Sequence, residues 1–353
     1  MASGQDLLAW AHQSKELMAF FSQDFGIDIG TFFVMIAEGG ELLEREPTVV
    51  AIAIDEQKIV EIGQSAKEMY GRVPESLEIA RPMKNGVIAD YEVTEKIVEY
   101  MLRKVTGPVR FFRPRVMVTV PHGATSVESR AVQEAVLEAG AREVYLIEQP
   151  LAGALGIELP INTPTGNMVL ILGGGSTQAA VLAMYGIVSA STLREGGFGL
   201  DQAIISYVRK KYGLIIAQPT AEKIKLEIGA AIPQDEEGGI EVQGQDQVSG
   251  LPQPLSLKTG EIVEALQDPL QDIVETSRQV LEKTPPELVS DIIDRGIALC
   301  GGTALLPGID KLLTKELGVP TYLVDNPRTC IVEGASIGLS PGVFPKIKRN
   351  LIT

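Results

Sequence analysis

The sequence has few of the residues that build metal centres and disulfide frameworks. Its 353 residues include only two cysteines, Cys300 and Cys330, and two histidines, His12 and His122. A disulfide scaffold, a cysteine-rich zinc site and a multi-histidine metal centre are therefore excluded, and the low cysteine content suits a reducing cytoplasm. We expect both thiols to be buried structural groups and His122 to be a loop residue.

Long apolar runs and excess positive charge are also missing. No stretch of about 18 apolar residues occurs, so no helix is expected to span a bilayer, and the N-terminus lacks the basic start and apolar core of a secretion signal. Asp and Glu outnumber Lys and Arg by 46 to 31, which gives a formal charge of -15. This excess of negative charge disfavours electrostatic binding of nucleic acid over the protein surface as a whole. We expect an intracellular protein that holds any polyanion in a local site.

The chain is long enough for two core-bearing lobes of roughly 150 residues each. Short apolar runs (FGIDIG, TFFVMIA, TVVAIAI) predict strands. Helices are predicted at 94–105 and 126–139, on either side of a buried strand at 116–120, which indicates mixed α/β layers. A second strand-turn-strand pattern begins at Met168 and indicates a duplicated lobe.

Further helices are predicted at 200–212, 220–228, 260–283 and 308–317. Residues 233–256 contain acidic but no basic side chains, together with many Gly and Gln residues, and this composition predicts a solvated hairpin or loop of a small subdomain. Residues 5–22 predict an amphipathic helix whose apolar positions include Leu7, Trp10, Leu17 and Phe21. Such a helix lies in a membrane interface or packs on protein, and both alternatives stay open.

Three glycine-rich loops follow apolar strands, and each has the composition of a phosphate-binding turn. Their candidate ligand-binding residues are Asp28, Gly30 and Thr31; Gly173, Gly174, Gly175 and Ser176; and Gly301, Gly302 and Thr303. One such loop is usually only a turn, but three at strand ends favour a nucleotide cleft between two lobes.

Charged side chains near these loops have both a functional and a structural interpretation. Asp28 follows a buried strand, where a carboxylate needs a partner such as hydrated Mg²⁺ or a cation, or else caps a turn. Glu222, Lys223 and Lys225 occupy a polar helical face that either reaches a ribose or base or is simply solvated.

Longer stretches resemble a known family. FGIDIGT (25–31), RPMKNGVIADY (81–91), EKTPPELVSDIIDRGI (282–297) and CGGTALLPG (300–308) are similar to MreB, the bacterial actin family of the actin, sugar-kinase and heat-shock-chaperone ATPase superfamily. AEKIKLEIG (221–229) resembles the adenosine-contacting helix of that family. The resemblance covers about 25–339 and implies an α/β protein with the actin-like fold, in which two RNase-H-like lobes with small insertion subdomains surround a nucleotide cleft.

The same resemblance implies boundaries and partners. It implies an N-terminal helix (1–23), lobe I (24–157, with a small subdomain at about 45–75), lobe II (158–328, with one at about 201–255), a helix returning to lobe I (329–345) and a tail (346–353). It also implies homo-oligomeric filaments on the inner face of the cytoplasmic membrane, cell-envelope morphogenesis partners, no nucleic acid, and a role in cell shape and wall synthesis.

By resemblance, ATP or ADP with Mg²⁺ binds the three loops together with Phe32, Phe33, Ala304 and the 221–229 helix. Asp28 holds the metal through water, and Glu148, Gln149 and Ser176 occupy the catalytic positions. In the family the loop that matches Arg110-Phe111-Phe112-Arg113-Pro114-Arg115 inserts apolar side chains into the membrane. Its two aromatics between arginines fit lipid contact on chemical grounds, although the rings could instead fold into the core.

The sequence departs from the family pattern at the cleft. At the first turn the family has a small residue and an asparagine, and this chain has Phe32 and Phe33. Before the second turn the family has an aspartate, and this chain has Ile171-Leu172. Gln149 replaces the second glutamate before a proline, and Phe198 replaces an aspartate after a glycine. We therefore expect slow or absent hydrolysis with weakened ATP binding. An ordinary ATP-hydrolysing member and a non-polymerising scaffold are the alternatives. A sugar kinase is disfavoured because it needs intact metal ligands and a catalytic carboxylate.

Overall fold

The computed structural model describes residues 23–107 and 113–352. The strands in these ranges are β1 Asp24–Ile29, β2 Phe33–Glu38, β3 Glu41–Pro47, β4 Val50–Ala53, β5 Lys58–Ile62, β6 Leu77–Ala80, β7 Met83–Lys84, β8 Val87–Ile88, β9 Arg115–Val120, β10 Glu143–Glu148, β11 Asn167–Leu172, β12 Thr177–Ala183, β13 Gly186–Leu193, β14 Leu214–Ile215, β15 Gly239–Asp246, β16 Pro252–Lys258, β17 Ile297–Cys300 and β18 Thr321–Leu323. The α-helices are α1 Gln64–Glu68, α2 Tyr91–Thr106, α3 Ser126–Glu138, α4 Gln149–Gly156, α5 Gly197–Tyr212, α6 Gln218–Ile228, α7 Thr259–Ala265, α8 Gln267–Lys283, α9 Pro286–Arg295, α10 Ile309–Leu317, α11 Cys330–Gly338 and α12 Phe344–Ile347.

Two five-stranded sheets share one topology. Their strand orders are β10-β9-β1-β2-β3 and β13-β12-β11-β17-β18. In each, the first three strands of the lobe form an antiparallel meander, and two later strands add in parallel to the free edge of the first. The duplication indicated by the two strand-turn-strand patterns is therefore confirmed, and the α/β class with it.

Each lobe has its own apolar core, because the first strand of each sheet is covered on both faces. Residues 25–29 of β1 and all of β11 are buried. In lobe I, α2 and α3 pack Val98 and Val136 into the core around β1. In lobe II, α8 packs Ile273 beside Leu170 of β11. The smaller sheets β5-β4-β6 and β14-β15-β16 add to the two lobes.

A third apolar cluster joins the lobes through α4 and α11. These helices cross at two glycines: a Cβ atom at Gly156 would collide with the carbonyl oxygen of Cys330, and one at Gly334 with that of Ala152. Helix α11 also packs on lobe I, where Gly26 of β1 leaves no room for a Cβ beside Ser336. Backbone-to-backbone contact at the base of the two lobes holds them together.

Most helix predictions are confirmed within a few residues, and one is corrected. The predicted helix 260–283 is two helices, α7 and α8, because the chain bends at Leu266. Pro269 explains the break: it lacks an N–H donor and is tolerated in the first turn of α8 but not inside a continuous helix. The predicted hairpin at 233–256 is confirmed as β15 and β16.

Within residues 23–107 and 113–352, we find no helix that combines the length and the hydrophobicity needed to span a bilayer. The predicted membrane residues Leu7, Trp10, Leu17, Phe21, Phe111 and Phe112 lie outside the described residues, as does the predicted helix at 5–22.

Substitution of Gly334 by alanine tests the helix crossing. We expect Gly334→Ala to lower the free energy of unfolding by about 1–3 kcal/mol, because the added methyl group meets a backbone carbonyl that cannot rotate away. Urea unfolding followed by circular dichroism measures the loss. Gly342→Ala is the matched control, since a Cβ there has nothing within 4 Å. Equal stability of the two variants would contradict the tight crossing.

Candidate functional site: a cleft between two glycine turns

Two equivalent turns end the first strand of each lobe. The Gly30 N–H donates to the Phe33 carbonyl at 2.9 Å, and the Gly173 N–H donates to the Ser176 carbonyl at the same distance. The turns face each other across the cleft, where Thr31 contacts Gly175 so closely that a Cβ would not fit there. The third glycine loop joins them, since the Thr303 hydroxyl donates to the Gly173 carbonyl at 2.8 Å.

A cavity of about 370 Å³ lies between these turns. Most sequence-predicted binding residues line it together, namely Asp28, Gly30, Thr31, Phe32, Phe33, Gln149, Gly173, Gly174, Gly175, Ser176, Glu222, Lys225, Gly301, Gly302 and Thr303. Glycine chemistry at strand ends therefore predicted which segments converge.

Three candidate residues do not line the cavity. Lys223 is exposed and pairs with Glu227 along α6 at 3.8 Å. Ala304 is buried in the lobe II core. The Glu148 carboxylate is 2.7 Å from His122 Nδ1, so the structure gives His122 an acidic partner that the sequence interpretation lacked.

The Phe32 side chain lies between the turns. Its ring occupies the space that a side chain at Gly174 would need. The ring centroids of Phe32 and Phe198 are 6.5 Å apart, and the guanidinium carbon of Arg81 is 4.7 Å from the Phe32 centroid. Phe32 and Arg81 belong to lobe I, whereas Gly174 and Phe198 belong to lobe II. This cluster of aromatic and cationic side chains therefore joins the two walls of the cleft.

Asp28 is held in a chain of buried amides. Its Oδ1 accepts from the Thr119 hydroxyl and, at 3.1 Å, from Gln149 Nε2. Gln149 Oε1 accepts in turn from Gln178 Nε2 at 2.5 Å, and Gln178 Oε1 from the His122 N–H at 2.8 Å. Burial raises the pKa of Asp28, and the two donors lower it by less.

The structure refines the assignment at the second turn. Alignment of the two turns places Ile171, two residues before Gly173, where lobe I has Asp28. Ile171 lines the cavity, whereas the Leu172 side chain points into the lobe II core. The residue that replaces a carboxylate on the cleft wall is therefore Ile171 rather than Leu172.

Ion pairs occupy the other side of the cleft. Lys225 lies 2.6 Å from Asp201, which is fully buried, and also donates to the Gly197 carbonyl at 2.7 Å. Burial raises the pKa of Asp201, while Lys225 opposes that shift. Lys67 of lobe I lies 3.8 Å from Glu222 of lobe II and bridges the cleft.

Sequence reasoning missed the remaining cations and the apolar wall. Arg45, Lys67 and Arg328 line the cavity, and no local motif marked them because each comes from a different segment. Leu305, Leu306 and Pro307 also line it. They lie in the CGGTALLPG stretch, so the family match could have identified them.

This duplicated architecture, with glycine turns facing a cleft, defines the class of actin-like proteins. A model of the MreB/Mbl protein family matches residues 22–341. MreB of Pasteurella multocida is 47% identical over 334 residues, covering 92% of this chain and 95% of the relative. MreB of Escherichia coli K12 is 46% identical over 332 residues, with the same coverage. Both are named cell shape-determining proteins.

Solved structures agree with this match. MreB5 of Spiroplasma citri bound to ADP superposes with a TM-score of 0.86 at 29% identity, covering 93% of this chain and 98% of that chain. The MamK double helical filament superposes with a TM-score of 0.74 at 19% identity, which supports the fold. The chain belongs to the MreB/Mbl family.

The buried charge of Asp28 predicts a pH-dependent cost in stability. Asparagine would keep both hydrogen bonds, since Thr119 and Gln149 donate to the same oxygen. Burial raises the pKa of Asp28 in the folded protein above its ordinary value of 3.8. Between pH 3.8 and that raised pKa, the native state binds more protons than the unfolded state, so the stability of the wild type falls as the pH rises through this range. We expect Asp28→Asn to raise Tm by about 2 °C at neutral pH.

Differential scanning fluorimetry at pH 5 and pH 7.5 measures this effect. The gain in Tm should be larger at pH 7.5, because a larger fraction of the buried Asp28 carboxyl group is ionised there in the folded wild type. Asp325→Asn, a change at an exposed carboxylate, is the control. A gain that is absent, or larger at the lower pH, would contradict the assignment.

Proposed function

We propose that this chain is a cytoskeletal protein that polymerises into actin-like filaments on the inner face of the cytoplasmic membrane and organises cell shape and wall synthesis. We further propose that it binds ATP and ADP but hydrolyses ATP slowly or not at all. Family membership over 92% of the chain supports the cytoskeletal role. The Phe32 ring in the cleft and Ile171 on its wall support the proposal that hydrolysis is slow or absent.

The observation that carries the hydrolysis proposal is the position of Phe32. Phosphoryl transfer needs the terminal phosphate, a charge-neutralising group and an attacking water aligned in one place. In this chain the ring lies against Gly174, between the two turns, and is fixed by Phe198 and Arg81. The ring narrows the space in which these groups would meet.

The donor set does not fit a catalytic Mg²⁺ site. Magnesium prefers carboxylate oxygens and water, yet Ile171 faces the cavity where a second carboxylate is expected. Burial raises the pKa of Asp28, and its Oδ1 already accepts two hydrogen bonds. No cluster of three potential metal-binding His, Cys, Asp or Glu side chains occurs in residues 23–107 and 113–352.

The catalytic positions lack a free base. The Gln149 amide uses its N–H₂ on Asp28 and its oxygen on Gln178, so its orientation is fixed within the protein. The Glu148 carboxylate is held by His122. A base must lie within hydrogen-bond reach of the attacking water. The neutral amide of Gln149 takes up no proton, and Glu148 does not line the cavity.

Nucleotide binding is proposed from the glycine loops and the polar side chains that line the cavity. The backbone of the three glycine loops lines the cavity, beside Glu222 and Lys225 of α6. Solved structures of Spiroplasma citri MreB5 are bound to ADP and to AMPPNP, at 29% identity to this chain. We infer that ATP or ADP enters the same cleft here, with altered phosphate contacts.

Membrane attachment is proposed from the sequence. Phe111 and Phe112 between arginines, together with the amphipathic pattern of Leu7, Trp10, Leu17 and Phe21, fit a two-point contact with lipid. Cell-envelope morphogenesis proteins are the proposed partners at that surface.

Sedimentation with simultaneous phosphate measurement tests the polymer proposal. We expect equal pelleting of the purified full chain without nucleotide, with ADP and with ATP, and phosphate release at least about tenfold below that of Escherichia coli MreB measured alongside. ATP-dependent pelleting with steady phosphate release would instead support an ordinary ATP-hydrolysing member. No filaments by electron microscopy, with any nucleotide or lipid, would favour a scaffold.

Vesicle flotation tests the membrane proposal. We expect the full chain to float with anionic vesicles, and Phe111→Ser with Phe112→Ser to reduce the floated fraction severalfold, because each buried ring contributes about 1.5–3 kcal/mol. Val127→Ser is the control, as Val127 is an exposed apolar residue of α3 (77% exposed). Unchanged flotation of the double variant would remove the loop from the attachment surface.

A further inference from the structure

The strongest unexplained feature of the cleft is a pair of arginines. Four cationic side chains line the cavity. Two of them, Lys67 and Lys225, are paired with Glu222 and Asp201. The other two, Arg45 and Arg328, are in no ion pair within the described ranges 23–107 and 113–352. A chain with a formal charge of -15 therefore keeps two uncompensated positive charges in its cavity.

Arg45 is positioned against the first glycine turn. It lies on β3, and its guanidinium carbon is 3.6 Å from the centroid of the Phe33 ring. The Phe33 carbonyl accepts from Gly30 and so belongs to the turn itself. The Nε atom of Arg45 is buried and has no hydrogen-bond partner among the described residues, so the stack orients a guanidinium whose donors are not all satisfied.

Arg328 approaches from the third glycine loop. It follows Pro327, whose carbonyl accepts from the Gly301 N–H at 2.6 Å. Burial lowers the pKa of Arg45, and the positive charge of Arg328 lowers it further. Two guanidinium groups that line one cavity would be stabilised by an anion bound between them.

Among the residues that the structure describes, the cavity lacks a second carboxylate beside Asp28 at the glycine turns, yet two unpaired arginines line it. The cavity has Ile171 where lobe I has Asp28, and the amide of Gln149 lies beside Asp28. A nucleotide phosphate still carries negative charge that must be neutralised. Planar guanidinium groups do this by bidentate hydrogen bonds, without a metal ion.

Resting on the proposed nucleotide binding, we propose that Arg45 and Arg328 replace the metal ion, and that this cleft takes a nucleoside diphosphate or triphosphate free of Mg²⁺. The ligand phosphates bind the two guanidinium groups beside the first and third glycine loops. Magnesium competes with the arginines for the same phosphate oxygens and gives no advantage in binding.

Calorimetric titration of the full chain tests this assignment. ADP is titrated in EDTA and in excess MgCl₂, with adenosine as the uncharged probe. We expect ADP to bind at least as tightly in EDTA as in MgCl₂. Arg45→Gln and Arg328→Gln should each weaken ADP binding by about tenfold, the loss expected for a hydrogen bond to a charged group, and leave adenosine binding unchanged.

Further variants separate charge loss from structural damage. Arg45→Lys keeps the positive charge but loses the planar fork, and should fall between wild type and Arg45→Gln. Arg349→Gln removes an exposed arginine near the C-terminus and should bind ADP as the wild type does. Thermal unfolding of each variant reports whether the fold is intact, and Arg328→Gln is the safer test because Arg328 is exposed.

Two outcomes would overturn the inference while leaving nucleotide binding in place. One is tightening of ADP binding by Mg²⁺ of about tenfold or more. The other is wild-type ADP affinity in both glutamine variants. Failure of the wild type to bind ADP in either buffer would overturn the metal-free site and nucleotide binding together, whereas the filament proposal is judged by sedimentation.

Discussion

The two lobes are held by a crossing of helices that leaves no room for side chains. Gly156 of α4 and Gly334 of α11 bring the two backbones into contact, and the surrounding apolar cluster takes residues from both sheets. Because the crossing lies at the base of both lobes, it brings the ends of β1 and β11 opposite each other. The glycine turns, the cavity and the contacts across it all depend on this close approach.

The cleft walls are joined from inside by side chains of the protein. Phe32 lies on Gly174 and next to Phe198, and Arg81 lies over its ring. Lys67 and Glu222 add an ionic contact between the lobes, although a partly exposed pair at 3.8 Å contributes little to stability. Dispersion and cation–π contact between these side chains therefore add to the packing of the lobes at the helix crossing.

Charge is distributed unevenly between the surface and the cleft. The chain is strongly acidic, yet its cavity is lined by two arginines and two lysines against the carboxylates Asp28 and Glu222. Field lines concentrate in a cleft with low-dielectric walls, so a local positive site can attract an anion despite the net charge. Ile171, Gln149 and Phe198 fit the same change, since each is a neutral residue where the family resemblance implies a carboxylate.

The amino-acid sequence alone specifies the α/β class, the duplicated strand-turn-strand units, the family and most of the segments that line the cleft. These properties are carried by local periodicity, by glycines at strand ends and by long ungapped stretches such as CGGTALLPG. Tertiary packing breaks the predicted helix 260–283 at Leu266 and turns Ile171 rather than Leu172 toward the cavity. It also places the Phe32 ring on Gly174 and brings Arg45 and Arg328 to the lining of one cavity. The physical reason is that contacts between segments far apart in the chain depend on how whole elements pack, and no local spacing encodes which side chains then face each other.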